Sequence, residues 1–171
     1  LRAVQLVECD ASVVGGVNMM FTSSFGAMMA MAGMTSATGR SHTFDSHADG
    51  YARGEACSMG VLDALAVGSV SLAIHGSAVR QDGKSASLTA PNGQAQQGLL
   101  RAALTDAATA ADALILHEAH GTGTALGDPI ETGSLTAAVL QSRDKEGAPL
   151  TLGGAKANVG HAEPAAAMTG L

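Results

Sequence analysis

The chain has 171 residues, which is about one domain on a prior of roughly 150 residues each. Nine basic against fifteen acidic residues give a net charge of -6, which argues against nucleic acid or an anionic membrane surface as partner. With 14% charged and 46% hydrophobic residues, the chain is no disordered tail. Aromatics are scarce, much of the apolar content is Ala, and there are 22 Gly. Such a core relies on close backbone approach more than on large side chains. No run of 18 apolar residues occurs, so no membrane span is expected, and no signal peptide is read. The chain opens on Leu1 and stops at Leu171 inside what reads as a young helix, so a piece of a longer polypeptide is expected. Cys9 and Cys57 read as buried free thiols in a reducing compartment.

In chain order, Leu1 to Glu8 reads as the end of a helix. Ala11 to Val14 reads as a short buried strand closed by Gly15-Gly16. Six of the eight Met fall between Met19 and Met34. That stretch reads as an irregular core filler, or else as an apolar wall beside a long-chain ligand. Ser41 to Arg53 is polar and turn-rich. Met59 to Leu62 and the alternating run Val70 to Val79 both read as strands. Gln81 to Lys84 is a turn; it is no phosphate loop, because the required first Gly is Ala78. Residues 91 to 111 form the clearest helix, with Leu100, Ala103, Leu104, Ala107 and Ala111 on one stripe. Leu114 to Leu116 is a buried strand leading to the glycine-rich loop His120 to Thr124. Asp128 and Glu131, flanking Pro129, are spaced as a capping box for a helix to about Ser142. Leu150 to Ala155 reads as a strand, Lys156 to Glu163 as a loop, and Pro164 opens a helix.

The last sixty residues thus alternate strand, loop, helix. A strand-helix-strand unit makes a right-handed crossover with parallel strands, and ligands bind at the carboxyl ends of such strands. His120 and His161 each follow one of the two strands, so histidines 41 residues apart are expected at one sheet edge. Two neutral imidazoles there could donate to one developing oxyanion. Zinc is the weaker rival: His117 and His120 lie three apart on a strand and so on opposite faces, without the His-Glu-x-x-His spacing or a third ligand. A dinucleotide loop is weaker still, since Gly121 to Gly127 has one residue too many. Thr122 and Thr124 alternate and are expected to face one side. Lys156, if held inward, needs a carboxylate, with Glu131 or Asp128 as candidates.

Three motifs in order, His120-Gly121-Thr122-Gly123-Thr124, Gly127-Asp128-Pro129-Ile130-Glu131 and Lys156-Ala157-Asn158-Val159-Gly160-His161, resemble the histidine motifs of β-ketoacyl synthases. The likeness is to the ketosynthase domain of modular type I polyketide synthases, and it spans essentially the whole chain. Gly15 to Asn18, Phe44-Asp45, Asp49 to Glu55, Gln81 to Gly83 and Thr89 to Gly93 agree with it. The resemblance implies an α/β, thiolase-like fold of two similar halves, incomplete in this chain. Residues 1–85 would be the latter part of the first half and 86–171 the early part of the second. It implies a decarboxylative Claisen condensation of an acyl thioester with malonyl-acyl carrier protein. His120 and His161 would polarise the malonyl thioester, with Lys156 beside them as a catalytic residue. Thr122 and Thr124 would bind the phosphopantetheine arm, and Asp128 and Glu131 would belong to a supporting charge network. It further implies no directly bound cofactor and no metal. The implied partners are an acyl carrier protein, other polyketide synthase domains in the same chain and a homodimer mate. A cytoplasmic or organellar stroma setting is expected. The family's nucleophile motif has no counterpart here, and Cys9 and Cys57 align with non-catalytic positions. These 171 residues alone are therefore expected to be inactive and poorly soluble. The competing reading is a non-condensing homologue, either a chain-length partner or a decarboxylase-only domain.

Overall fold

A computed structural model describes residues 1–64, 72–87 and 89–171. Among the described residues, two small sheets of two strands each carry the architecture. In the first, β1 (Ala11–Asn18) pairs antiparallel with β2 (Ala56–Asp63), with Val13 opposite Val61 and Asn18 opposite Ala56. In the second, β3 (Leu116–Glu118) runs parallel to β4 (Thr151–Gly153). The helices are α1 (Arg2–Gln5), α2 (Ser23–Met31), α3 (Gly93–Asp106), α4 (Gly127–Ala138), α5 (Lys156–Val159) and α6 (Ala166–Thr169).

The parallel crossover β3–α4–β4 is found as expected, and it is what brings the two histidine turns to one edge. Helix α3 starts where Asn92 caps it, its side chain accepting from the N–H groups of Gln94 and Ala95. Its apolar stripe supplies Leu100 and Leu104, which pack with Ala111, Leu114 and Leu150 around buried Leu135, Ala138 and Val139 of the α4 region. This small core fixes the base of the second sheet.

Several elements depart from the sequence reading. Strand β1 continues through Gly15 and Gly16 to Asn18 instead of stopping there. The reason is a close crossing: a Cβ at Gly16 would lie 2.6 Å from the Pro164 carbonyl oxygen. Helix α2 fills no core. Phe21 and Met31 are 85% and 84% exposed, and the helix buries no residue. Leu72 to Val79 form no strand and lie largely open, and residues 70–71 of that expected strand fall outside the described set. Lys156–Val159 winds one helical turn where a loop was expected. Cys57 is exposed and Cys9 half-buried, so the expected burial fails for Cys57.

The outward face of the first sheet is apolar and open, with Val13, Val17, Met59 and Val61 uncovered. The accessible surface, 10963 Å², exceeds the roughly 7,700 Å² that mass scaling gives for a compact monomer of this size. No helix among the described residues is long and apolar enough to cross a membrane.

Candidate active site

The turn after β3 is built around its backbone. Ala119 is buried, and the Glu131 carboxylate on α4 accepts the next two N–H groups, His120 at 2.6 Å and Gly121 at 2.8 Å. Asp128, 4% exposed, accepts from Phe44 N–H at 2.8 Å and Gly123 N–H at 3.2 Å. The expected capping box is therefore not formed. Helix α4 begins at Gly127 with Leu126 before it, and both carboxylates reach past the helix to the loop. Charged acceptors hold backbone donors more firmly than neutral ones do, so the acidic pair sets the path of the His120 turn. Thr122 and Thr124 face each other with hydroxyls 3.3 Å apart, and Thr124 Oγ1 accepts from Gly127 N–H.

The turn after β4 is held by the segment 51–54. His161 N–H donates to the Ala52 carbonyl at 2.7 Å, and Gly54 N–H to the His161 carbonyl at 2.9 Å. The approach requires glycine at 54, where a Cβ would lie 2.6 Å from the Val159 carbonyl oxygen. The ring is fixed as well: Glu163 N–H donates to His161 Nδ1 at 2.9 Å. A nitrogen that accepts cannot carry the proton of a neutral imidazole, so the proton sits on Nε2. Glu163 achieves this at φ +45, a left-handed conformation that costs a non-glycine residue about 1–3 kcal/mol.

The two turns converge. The rings of His120 and His161 stand 5.5 Å apart, centroid to centroid, edge to face at 88°. Tyr51 tilts against the His161 ring, centroids 5.0 Å apart. Burial and then the neighbouring His120 and Lys156 push His161 down to about 4. Desolvation, and then Lys156, also lowers His120, although that ring keeps contact with solvent. Both imidazoles are thus neutral at pH 7 and can act as donors. Lys156 is 8% exposed, and desolvation lowers its pKa against the opposing pull of Glu118 and Glu131. Among the described residues it forms no direct ion pair, so it faces its carboxylates at longer range. Of the two candidates named from sequence, Glu131 acts on it and Asp128 is occupied with backbone donors.

Glu118, which the sequence reading passed over, is the other carboxylate near Lys156. Its Oε1 accepts from Ala155 N–H at 2.7 Å and so ties β3 to the start of α5. Its place in His117-Glu118-Ala119-His120, on the strand that ends at the site, was the available signal. Glu163 was missed because its contribution to the ring is a backbone N–H. Among the described residues no three His, Cys, Asp or Glu are placed to hold a metal ion.

Known proteins resemble this chain along its whole length. Residues 1–68 match the family model for the beta-ketoacyl synthase N-terminal domain, and residues 72–171 that for its C-terminal domain. The chain belongs to the beta-ketoacyl synthase family. A phenolphthiocerol/phthiocerol polyketide synthase of Mycobacterium tuberculosis is 45% identical over 170 residues, covering 96% of this chain and 8% of that protein. The pikromycin polyketide synthase component PikAII of Streptomyces venezuelae is 42% identical over 178 residues, covering 100% of the chain and 5% of that protein. Among solved structures, the oxazolomycin ketosynthase domain of Streptomyces albus superposes with a TM-score of 0.93 at 34% identity, over 99% of this chain and 30% of that one. A ketosynthase of the Bacillus subtilis bacillaene synthase gives 0.92 at 33% identity, over 99% and 31%. The chain therefore has the thiolase-like ketosynthase fold, and it spans a tenth or less of the length of the polyketide synthases it matches.

Proposed function

We propose that His120 and His161 jointly bind the thioester oxygen of a malonyl group delivered on the phosphopantetheine arm of an acyl carrier protein. The observation that supports this best is the meeting of two neutral imidazoles 5.5 Å apart at the carboxyl ends of parallel strands. In the proposed reaction the bond between the malonyl α-carbon and its carboxylate breaks and carbon dioxide leaves. The electron pair moves into an enolate. His161 Nε2–H, with His120 beside it, donates to the enolate oxygen, which carries more charge than the ground-state carbonyl; donors placed this way favour the transition state. The enolate carbon then attacks an acyl thioester, a carbon–carbon bond forms, and the thiolate leaves. Lys156 contributes positive potential that keeps both rings unprotonated. Asp128 and Glu131 hold the His120 turn, and Thr122 and Thr124 hydrogen-bond the arm. The uncovered apolar face of the first sheet suits a partner surface, either other synthase segments or a second copy.

The test is malonyl-thioester decarboxylation by the full protein. Replacing either histidine with Ala removes one donor, and a loss of about 10²–10³-fold is expected. Retained decarboxylation in both variants would refute the reading. Decarboxylation without carbon–carbon bond formation in the unaltered protein would favour the non-condensing homologue. For the 171-residue chain itself, mass spectrometry after incubation with an acyl thioester is expected to show no acylation at Cys9 or Cys57.

A further inference from the structure

Three side chains beside the second histidine are not used by the chemistry proposed above. Tyr51 and Arg53 lie two apart in an extended run that bridges to His161, so both project to one side. Both meet Glu163. Arg53 Nε donates to Glu163 Oε1 at 3.1 Å, and the Tyr51 hydroxyl donates to the same oxygen at 3.5 Å. The ion pair is largely enclosed, with side-chain exposures of 13% and 19%. The Arg53 guanidinium also sits 4.8 Å over the Phe25 ring of α2, which fixes it from behind. Glu163 is the residue whose N–H holds His161 Nδ1, and it does so from a left-handed backbone. Of the other non-glycine residues with positive φ, Val7 and Ala108 directly follow helix C-caps, a common place for that conformation. Glu163 instead opens a short 3-10 turn, so the helix-end explanation does not apply to it.

We propose that Arg53 and Glu163 are positioning residues for His161: their enclosed ion pair, completed by Tyr51, pins residue 163 in its left-handed conformation so that its N–H stays on Nδ1 and Nε2–H faces the site. Released from the pin, residue 163 relaxes toward negative φ and its peptide turns. The N–H then leaves the ring, and His161 is free to flip or exchange tautomers. The inference rests on the reading of His161 as a donor to the substrate oxygen and adds the device that keeps it one.

The experiment uses the full protein with Arg53→Met, Glu163→Gln and the double variant. It reads kcat and KM for malonyl-thioester decarboxylation, thermal unfolding, and the ring 15N signals of His161, assigned by their loss in His161→Gln. Each single variant is expected to lower kcat about tenfold, as small misplacements of a reacting group do. KM should stay within about twofold, and the His161 signals should shift from the Nε2–H tautomer toward a mixture. Because the two residues act through one contact, the double variant should lose no more than the worse single one. Unchanged kcat and tautomer in a folded single variant would overturn the proposal, even with a lowered melting temperature. So would losses that multiply in the double variant. If Arg53→Met does not fold, Glu163→Gln carries the test. His161→Gln separates the two layers: if it keeps full decarboxylation the functional reading fails, while the ring signals still report whether the pin holds the tautomer.

Discussion

In the turn after β3 the backbone is clamped, because Glu131 takes the N–H groups of His120 and Gly121 while, among the described residues, no hydrogen bond reaches the His120 ring. In the turn after β4 the ring itself is clamped, by the Glu163 N–H, and the main chain is laid against Ala52 and Gly54. Two histidines that look equivalent in sequence are thus constrained at different levels. One has a fixed location and a ring free to follow the substrate. The other has a fixed tautomer and a fixed direction. A site that must bind a ground-state thioester and then an enolate can use one donor of each kind.

The largest expected break in that contrast is Glu131→Ala in the full protein. It strands two backbone donors of the His120 turn and should cost about 3 kcal/mol of stability and about 100-fold in decarboxylation. The His161 ring signals should stay unchanged. Unfolding curves and carbon dioxide release check this, and disturbed His161 signals would show that the two turns are coupled.

The pH response sharpens the contrast next. Burial, then His120 and Lys156, lower His161 from an ordinary 6.5 to about 4 in the folded protein. The unfolded chain therefore binds more protons between those values, and stability falls as pH drops from 6.5 toward about 4. His120 and His117 add the same sign. The His161 share is at most about 3 kcal/mol, measured by urea unfolding across that range, and His161→Gln should flatten the slope. Lys156→Met should raise the midpoints of both site histidines, seen as an earlier fall of decarboxylation on acidification.

A smaller effect is expected for Gly54→Ala, whose new methyl meets the Val159 carbonyl. A loss of about 1–3 kcal/mol is typical of overpacking, and activity should fall with it because the His161 turn moves. The smallest effect is Asn92→Ala at the start of α3. It should cost about 1 kcal/mol in unfolding experiments and leave decarboxylation untouched, since α3 buttresses the core and not the histidines.

Much of this site was readable from periodicity and spacing. The parallel pair β3/β4, helix α3 with its stripe, and the convergence of His120 and His161 all follow from patterns that packing must obey. Asp128 and Glu131 were also visible, by spacing as a capping box and by resemblance as a supporting charge network. A carboxylate that caps a helix and one that reaches past the helix to a neighbouring loop have the same local spacing, and only the position of that loop decides between them. Gly15-Gly16 read as a stop for the same reason, because glycine marks a turn and a close crossing equally well. The Met-rich stretch matched a core filler in composition, yet α2 buries none of its residues. The Glu163 N–H left no trace at all, since every residue but proline carries one.

The bridge between residues 51–54 and the His161 turn has an evolutionary and engineering side. The strand segment lies in the region matched by the N-terminal family model, and the histidine in the region matched by the C-terminal one. Phe44 to Asp128 and Gly50 to Gly123 cross the same divide. Hybrid synthases assembled by exchanging sequence at residues 69–71 would join halves from different parents across the very seam where both imidazoles are aimed. A recombinant joint elsewhere, which leaves that seam to a single parent, should therefore be the more permissive place to cut.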